Sequence, residues 1–468
     1  MAATSYDVVA YPATIFPATH PGRLAAIARF HGLDAPAIET ARVLEIGGGD
    51  GVNIIAMAAA YPRAQFHNFD LSSAAIARGD ALIRAAGLTN VVNRVGDIMV
   101  AADTLEGPFD YVIAHGVYAW VPPPVRAAVM RIVGRVLAPD GIAFISYNAL
   151  PGGHLRQVIR DLMFHHLQGI DDAAARLKRA YEVLEDFARP RPDERTVVAA
   201  MRDVARPMLR QHPETLFHDE LSGEWHPQLF SDVVAAANAE GLAFLNDASP
   251  VLVYDGMPGS DDDDAAVVRL AQTTDFGSLA FFHQTLLVRE GRRPARRLDP
   301  AQLSSLFASS QAVRIGPDRF KIKDDEFTIA DTVFADRLAA LAARWPQRLP
   351  VGDVADTADR QEALFRLFAA EVVGLHATPL PGVATAGPRP QASPVVRAQI
   401  AAGHRNLFSL DHNVVTMPVD GPLAFLALLD GSRDRDRLAT DWAASGHGHE
   451  IDVDSALQQM AAAGFLVA

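Results

Sequence analysis

The chain has 468 residues, of which 49% are hydrophobic and 21% are charged. This composition is typical of a globular protein and excludes an intrinsically disordered chain. Aspartate and glutamate outnumber lysine and arginine by 56 to 42, and the net charge of −14 argues against a general nucleic-acid binder. At roughly 100–200 residues per domain, the length predicts two to four domains.

The sequence contains no cysteine, which excludes disulfides, thiolate metal sites and cysteine nucleophiles. The N-terminal stretch has no basic leader followed by an apolar run, so we expect no signal peptide and a cytoplasmic location. No run of about 18 apolar residues predicts a transmembrane helix, so membrane insertion is not expected either.

A strand, a glycine-rich turn, a helix and a second strand open the informative part of the chain. Residues 43–46 form a short apolar run, five residues with four glycines follow, and residues 52–61 form an Ala-rich apolar helix. Residues 65–70 are the second strand, which ends in Asp70. This order is the βαβ unit of a doubly wound sheet.

The alternation of strands and helices continues and then breaks. Further strands are predicted at 91–95, 109–114 and 141–147, helices alone at 154–167, 172–188 and 194–211, and closing strands near 242–247 and 284–289. We therefore predict an α/β, Rossmann-like sheet of seven strands that is interrupted by a helical insertion. Helices at 422–429, 433–444 and 453–463, with a strand at 464–467, suggest a mostly α, winged-helix-like domain at the C-terminus.

These patterns predict four parts of the chain. They are an N-terminal arm with the first five strands at 1–150, a helical insertion or lid at 151–226, the last helix and strands of the sheet at 227–295, and the C-terminal domain at 296–468, which begins in a linker at 291–300.

The glycine turn predicts the class of ligand. Glycines at a strand-to-helix turn permit positive φ and a close backbone approach, and the next helix presents unpaired N–H groups. Asp70 lies 23 positions after Gly47, near the spacing expected of an acid that binds ribose hydroxyls. A dinucleotide fingerprint would place its third glycine at position 52, which is Val52. The turn therefore predicts an adenosine-type cofactor other than a dinucleotide.

The pattern Gly47-x-Gly49-x-Gly51, preceded by Glu45, resembles the motif of class I S-adenosylmethionine-dependent methyltransferases. In that family the acid and the turn receive the amino-acid end of the cofactor. Asp97, after the third predicted strand, is similar to the family's adenine-contacting acid. The resemblance implies S-adenosylmethionine as cofactor, S-adenosylhomocysteine as product and no metal.

Three further segments, 6–21, 115–122 and 146–152, resemble a narrower group, and residues 216–221 and 282–288 resemble its middle region. These are the bacterial methyltransferases with a methyltransferase regulatory domain, which include rickettsial lysine methyltransferases that act on outer-membrane proteins. The resemblance spans about residues 5–295 and is weaker beyond them. It implies methylation of lysine in a protein substrate, an outer-membrane protein or a basic segment. The cofactor-binding residues that it implies are Tyr11, Thr19, Glu45, Gly47, Gly49, Asn53, Asp70, Leu71, Asp97, Ile98 and His115.

The candidate catalytic residues follow the fourth and fifth strands, where ligands bind in such sheets, or lie in the N-terminal arm. They are His115, Tyr118, Tyr147, Asn148 and His20. Lysine has an unperturbed pKa near 10.4, so its ammonium must lose a proton before it can attack. His115 is either a base for this step or a cofactor contact. The Asn/Asp-Pro-Pro-Tyr/Phe signature of many amino-group methyltransferases is missing after strand four, so the lysine assignment depends on the resemblance.

The candidate substrate-binding residues are Tyr118, Trp120, His218 and Glu220. The two aromatic rings can form a wall around a cationic acceptor, and packing against the following prolines is the alternative. His218 and Glu220 lie in the proposed lid, where an ordinary surface helix is the alternative. Residues 446–450 contain two His and a Glu, and we interpret them as a polar loop rather than a metal site.

Two other functions stay open. The first is a small-molecule O- or N-methyltransferase that uses His115 or His20 as its base. The second is a cofactor-sensing regulator whose winged helix binds a partner. The net charge of −14 argues against DNA as the partner of the winged helix. The winged helix is also compatible with docking of a protein or with a homodimer.

Overall fold

The computed structural model describes residues 9, 11–191, 195–248, 263–296, 300–446 and 451–467 of the chain. Its largest element is a sheet of seven strands. These strands are β1 (Arg42–Ile46), β2 (Gln65–Asp70), β3 (Val91–Val95), β4 (Phe109–Ala114), β5 (Leu137–Asn148), β6 (Leu242–Asp247) and β7 (Phe282–Arg289).

Helices connect these strands and flank the sheet. Those described before residue 297 are α1 (Pro21–Phe30), α2 (Val52–Ala60), α3 (Ser73–Ala86), α4 (Ile98–Thr104), α5 (Pro123–Val136), α6 (Gly152–His166), α7 (Ala173–Ala188), α8 (Thr196–Met208), α9 (Pro213–Glu220), α10 (Phe230–Asn238) and α11 (Asp264–Ser278).

The sheet has the order β3-β2-β1-β4-β5-β7-β6. Strands β1 to β5 pair in parallel, whereas β7 is antiparallel to both β5 and β6. The predicted seven-stranded α/β sheet is therefore confirmed, and its last strands make it a mixed sheet. Strand β7 begins at Phe282, two residues earlier than predicted, because its pairing with β5 extends beyond the apolar run.

Helices cover both faces of the sheet, which explains why β1 and β4 are almost entirely buried. On one face Ile27 of α1 and Met57 of α2 pack in a hydrophobic cluster with Phe66 of β2. On the other face Ile132 of α5 packs in a cluster with Val112 of β4. This burial fixes the strands, and with them the loops at the carboxyl edge of the sheet.

The carboxyl ends of the parallel strands meet at that edge. Gly47 donates its N–H to the carbonyl of Phe69 at 2.9 Å, and Gly96 donates to the carbonyl of Asp70 at 2.9 Å. The glycine turn and the ends of β2 and β3 are therefore adjacent, as the spacing along the chain predicts.

Helices α6 to α9, residues 152–220, form a helical segment over this edge. They have a hydrophobic cluster of their own, which includes Ile159, Met163, Leu184 and Met208. The described residues of the segment contain no strand, as the sequence predicts.

Short strands and helices make up the described residues after 299. The strands are β8 (Phe307–Ser310), β9 (Val313–Arg314), β10 (Arg319–Ile322), β11 (Asp325–Thr328), β12 (Leu349–Pro350), β13 (Val373–His376), β14 (Asn406–Phe408) and β15 (Val414–Thr416). The helices are α12 (Thr332–Ala342), α13 (Val351–Val354), α14 (Ala358–Ala369), α15 (Pro394–Ala401), α16 (Asp420–Leu428), α17 (Arg435–Ala444) and α18 (Val453–Ala462).

The last three helices agree with the predicted ones, whereas the predicted strand at 464–467 is reduced to an isolated bridge between Ala392 and Leu466. The winged-helix-like arrangement stays a prediction. Part of the C-terminal region shares its core with the start of the chain, because Leu24 of α1 lies in the same cluster as Leu306, Leu341 and Phe368.

The predicted linker at 291–300 is anchored in its described part. Arg296 is 3% exposed, donates to the carbonyls of Phe244 and Leu245 at 2.7 Å, and pairs with Asp264. The composition suggests a loose connection, but this buried guanidinium fixes the segment to β6 and α11. The domain boundary at 296 stays a prediction.

Candidate functional site

The glycine turn between β1 and α2 forms the floor of the site. Gly47, Gly49 and Gly51 all have positive φ, at 65°, 59° and 75°. A Cβ on Gly47 would lie 2.7 Å from Cγ2 of Val117, so no side chain fits there. A Cβ on Gly49 would meet no described atom within 4 Å, so the turn borders open space at that residue.

Asp70 holds this turn in place. Its Oδ2 accepts from the N–H of Gly49 at 2.9 Å, and its Oδ1 accepts from the N–H of Ser72 at 2.8 Å. Asn68, two residues earlier on the same face of β2, accepts from the N–H of Gly48 at 3.2 Å. Sequence reasoning missed Asn68, although its period-2 spacing from Asp70 is a usable signal.

Glu45 is buried beside the turn, with 2% of its surface exposed. Its Oε1 accepts from the side-chain amide of Asn53 at 2.8 Å, whereas Oε2 has no hydrogen-bond partner among the described residues. Burial raises the pKa of this carboxyl to about 8, although the bond from Asn53 opposes the shift. A group with a positive charge would therefore be stabilised at Oε2.

Asn53 connects Glu45 to distant parts of the chain. Its Oδ1 accepts from the N–H of Phe16 at 3.0 Å and from His412 Nε2 at 3.0 Å, and its Nδ2 donates to Thr19 Oγ1 at 3.1 Å. The N-terminal arm and the C-terminal region thus meet behind the glycine turn. His412 was not predicted, because it lies 359 positions away in the sequence.

Asp97 and Ile98 lie at the end of β3, next to Asp70. Asp97 begins α4 as its N-cap, and its Oδ1 accepts from the N–H of Met99 at 2.8 Å. Leu71 is 44% exposed at the end of β2. These residues line the part of the edge that the resemblance assigns to adenosine, and their cofactor contacts stay a prediction.

His115 follows β4 on the other side of the turn. Its Nδ1 is 3.0 Å from Ser146 Oγ, and Ser146 also accepts from the N–H of Gly116 at 2.9 Å. The ring of Phe16 lies against the imidazole, with 3.8 Å between the centroids, and Phe282 lies 6.3 Å away. Burial lowers the pKa of His115 to about 4, so the imidazole is neutral at pH 7. Phe16, Ser146 and Phe282 were not predicted as site residues.

Tyr118 and Tyr147 are buried, with ring centroids 6.1 Å apart. Burial raises the pKa of both phenols, and the hydroxyl of Tyr147 is hydrogen-bonded to Thr285 Oγ1 at 3.0 Å. Both hydroxyls therefore stay protonated at neutral pH. Asn148, at the end of β5, is 6% exposed, and its Oδ1 has no partner among the described residues.

Trp120 packs against cations of its own chain. The guanidinium carbons of Arg156 and Arg160 lie 5.9 and 6.0 Å from its ring, and Trp225 lies 6.4 Å away. Glu220 is fully buried and pairs with Arg156 at 2.6 Å. Both side chains therefore contact arginines of the helical segment, and their binding of a substrate stays a prediction.

The N-terminal arm contacts α9 of the helical segment. His218 Nε2 is 2.8 Å from the carbonyl of Val9, and the Tyr11 hydroxyl donates to Asp219 Oδ1 at 3.5 Å. Burial raises the pKa of Asp219 to about 6, although Arg156 opposes the shift. Sequence reasoning selected the two neighbours of Asp219 and missed the residue that the arm contacts.

His20 contacts a different set of residues from His115. Its Nδ1 accepts from the N–H of Gly22 at 3.1 Å, which makes His20 the N-cap of α1. Its ring is 5.7 Å from Tyr61 and 5.4 Å from His412. Burial holds its pKa well below the usual value, so this imidazole is neutral as well.

No group of three His, Asp or Glu side chains within the described ranges is arranged to hold a metal ion. Residues 447–450, part of the predicted polar loop, lie outside those ranges. None of the described helices is long and apolar enough to cross a membrane.

Comparisons with known proteins agree with this geometry. A family model described as "Methyltransferase domain" matches residues 44–143, and one described as "Predicted methyltransferase regulatory domain" matches 212–289. The uncharacterized protein RP028 of Rickettsia prowazekii is 38% identical over 181 residues, which are 39% of this chain and 72% of that protein. The chain belongs to the S-adenosylmethionine-dependent methyltransferases that carry a methyltransferase regulatory domain.

Two further matches extend over more of this methyltransferase. The uncharacterized protein RP789 of Rickettsia prowazekii is 32% identical over 300 residues, which are 63% of this chain and only 54% of that relative. The chain therefore spans about half the length of that relative. PKMT2 from Rickettsia typhi, also solved in complex with AdoHcy, has the same fold with a TM-score of 0.83 and 22% identity. The match covers 98% of this chain and all of that one, so the shared fold includes the C-terminal region.

The cofactor of this family is S-adenosylmethionine, and the residues at the edge of the sheet fit it. The unpartnered Oε2 of Glu45 matches the ammonium of its amino-acid end, and the open space at Gly49 leaves room for a ligand. Asp70 and Asp97 carry carboxylates at the ends of β2 and β3, where hydroxyl and amino groups of adenosine can donate hydrogen bonds.

Proposed function

We propose that this methyltransferase methylates lysine side chains of a protein substrate. The observation that carries the proposal is that the cofactor-type turn adjoins a cluster of buried aromatic rings and neutral polar groups at one sheet edge. This cluster is the proposed acceptor pocket. Glu45 and Asp70 flank the turn, and His115 stands beside it under the ring of Phe16. S-adenosylmethionine supplies an electrophilic methyl group on its sulfonium when it is bound.

The pocket favours a deprotonated amine. Phe16, Phe144 and Phe282 surround His115, so an acceptor there loses most of its contact with water. Desolvation lowers the pKa of an ammonium and thereby increases the fraction of nucleophilic amine. A lysine needs such help because its unperturbed pKa is near 10.4.

In this reaction His115 acts as a polar contact that orients the acceptor, and not as a strong base. Its pKa of about 4 makes it a weak proton acceptor at neutral pH. The bond between Nδ1 and Ser146 fixes the plane of the ring. We infer that the acceptor reaches the pocket as a free amine or gives its proton to solvent, and that His115 orients it.

Asn148 can hold the acceptor nitrogen. Its Oδ1 is buried and has no partner among the described residues, and an unpaired buried acceptor of this kind carries a desolvation penalty. An amine N–H that donates to this oxygen would relieve the penalty and aim the nitrogen lone pair away from it. The hydroxyls of Tyr118 and Tyr147 stay protonated, because burial raises the pKa of both phenols.

The arm and the helical segment can close over the pocket. Tyr11 and His218 join them, and the carboxyl of Asp219, with its pKa of about 6, carries negative charge at neutral pH. A negative group on this cover favours the approach of a cationic lysine side chain. The net charge of −14 favours basic protein segments in the same way.

A transfer assay tests the proposal. Protein is incubated with radiolabelled S-adenosylmethionine and a cell extract, and the products are separated by size. We expect label on macromolecules that resist nuclease and are degraded by protease. Label confined to the small-molecule fraction would reject a protein acceptor, and an Asn148→Ala variant, which should lose at least about tenfold in rate, tests the pocket itself.

A further inference from the structure

Four large apolar side chains are exposed within seven residues of each other. Phe276 is 57% exposed, Leu279 45%, Phe281 38% and Phe282 41%. We call residues 276–282 the aromatic rim; they join the end of α11 to the start of β7. An exposed apolar cluster of this density typically marks a surface that binds another molecule.

The aromatic rim is continuous with the candidate site. Phe282 pairs with Asn148 across β5 and β7, and its ring lies edge-on to His115 with 6.3 Å between the centroids. The carbonyl of Phe281 accepts from the N–H of Ala149 at 2.9 Å. Any polypeptide that delivers a side chain to His115 and Asn148 from this side of the sheet therefore crosses the rim.

Leu279 ends α11 in a backbone conformation that leucine rarely adopts. Its φ is +54°, a left-handed conformation that glycine adopts at much lower cost than leucine. Because the side chain is 45% exposed, burial in the free protein does little to offset this cost. A strained residue that presents an apolar side chain beside a site is a reason to suspect binding.

The absence of charged side chains from the rim indicates which kind of partner it can bind. Residues 273–282 contain one charged residue, Asp275, whose carboxylate is bonded to buried His283 at 3.0 Å. The rim itself therefore carries no charged side chain, in a chain with a net charge of −14. It suits apolar side chains of a polypeptide, whereas the negative chain disfavours an anionic lipid surface.

We propose that the aromatic rim binds an apolar stretch of the substrate polypeptide next to the acceptor lysine. This inference rests on the proposed function, because it assumes a protein acceptor. The rim adds a second requirement to the site: the acceptor must carry large apolar side chains near its lysine.

A double variant, Phe276→Ser with Leu279→Gly, tests the rim. Both side chains are exposed, and glycine relieves the positive φ at 279, so the substitutions should leave the fold intact. Val313→Ser is the matched control, since Val313 is 64% exposed in β9, outside the rim. The probes are two synthetic peptides with one central lysine, flanked by leucine and valine in one and by serine in the other.

We expect wild-type protein to prefer the apolar peptide over the serine peptide by roughly tenfold in kcat/KM, since a few buried apolar side chains supply that much. The double variant should lose this preference, and the Val313→Ser control should keep it. A preference that survives in the double variant, or a wild-type protein with no preference, overturns the proposal.

Peptide binding separates this inference from the proposed function. Fluorescence anisotropy with labelled peptide and S-adenosylhomocysteine measures docking without methyl transfer. Rim-dependent binding without lysine methylation would reject the proposed function and retain the docking surface. Two other results would overturn the docking proposal: a dimer that dissociates only in the double variant, and binding to phosphatidylcholine vesicles that the double variant loses while it keeps the peptide.

Discussion

At the scale of the residue, the protonation state of the Glu45 carboxyl determines how strongly the cofactor binds. Burial raises its pKa to about 8, so the free protein holds it protonated at pH 7. The cofactor ammonium favours the ionised form, and an ion pair at Oε2 must therefore displace a proton. Raising the pH toward 8 removes that proton beforehand and should strengthen binding.

We expect binding of S-adenosylmethionine at pH 7 to release close to one proton from wild-type protein. Titration calorimetry in two buffers of different ionisation enthalpy measures this release. A Glu45→Gln variant keeps the shape of the side chain and should bind more weakly with no proton release. Identical heats in both buffers for wild-type protein would contradict the assignment of Glu45.

Gly47 makes a second prediction at the same scale. An alanine there meets Val117 at 2.7 Å and must adopt a φ of 65°. Gly87 has nearly the same φ, 66°, but its Cβ would meet no described atom within 4 Å. Both Gly→Ala variants should lose about 1–2 kcal/mol of unfolding free energy from the backbone conformation.

Only Gly47→Ala should also weaken cofactor binding, by roughly tenfold or more, since it displaces the turn itself. Thermal unfolding and calorimetry of the two variants separate the effects. Equal cofactor affinity in both variants would show that the turn does not hold the cofactor.

Residue spacing predicted the position of the turn, Asp70 and His115, but not their partners. The bonds of Asn53 to Phe16 and of His115 to Ser146 depend on how distant strands and the arm converge. The contact of Arg156 with the ring of Trp120 was not predicted for the same reason, since it comes from another helix. Local spacing carries no information on such contacts.

At the scale of the element, a buried ionic triad joins the last strands of the sheet to α11. His283 of β7 is bonded to Asp247 of β6 at 2.7 Å and to Asp275 of α11 at 3.0 Å. Burial alone would lower the pKa of this imidazole, but the bonds to both carboxylates outweigh it and raise the pKa to about 9. The charged form is therefore favoured in the folded state.

This triad makes the stability of the protein depend on pH in the alkaline range. The folded pKa lies above the usual 6.5, so the stabilisation is complete below about pH 6.5 and is lost as the pH rises through about 9. We expect a loss of about 2–3 kcal/mol across this range. Chemical denaturation at several pH values measures it.

His283→Gln is the control for the triad. It should be less stable than wild-type protein at pH 7, because it removes the charged imidazole that is hydrogen-bonded to two buried carboxylates. Between pH 7 and 9, its free energy of unfolding should decrease much less than that of wild-type protein. The same fall in the variant would show that other groups cause it.

Elements with long apolar runs were predictable, and short ones were not. β1 and β4 were located because both of their faces are buried, which makes the sequence continuously apolar. β9 and β12 have two residues each, and β12 pairs with β8, which lies far from it along the chain. Period-2 patterns need longer strands than these.

At the scale of the whole molecule, the C-terminal region packs on the helix after the cofactor turn and reaches Glu45 through a chain of hydrogen bonds that begins at His412. His412 Nε2 donates to Asn53 Oδ1 at 3.0 Å, and Asn53 in turn donates to Glu45. Burial lowers the pKa of His412 to about 3, so this bond uses a neutral imidazole. No pattern in the sequence predicted the contact, because the two residues belong to different parts of the fold.

His412→Asn should weaken binding of S-adenosylmethionine by about 1 kcal/mol, since Asn53 loses a buried hydrogen bond that orients it toward Glu45. Asparagine tolerates the positive φ of 58° at this position. His404→Ala, at an exposed residue of the same region, is the control and should bind normally. Unchanged affinity in His412→Asn would mean that the C-terminal region does not support the cofactor site.

The chemical group that accepts the methyl defines what the whole molecule does, and isotope mapping identifies that group. Protein is incubated with S-adenosylmethionine that carries a deuterated methyl group and with a protein extract, and tandem mass spectrometry locates the label. We expect labelled methyl groups on lysine side chains, with apolar residues nearby in the modified sequences. Label on carboxylates or on small molecules, with none on lysine, would contradict it.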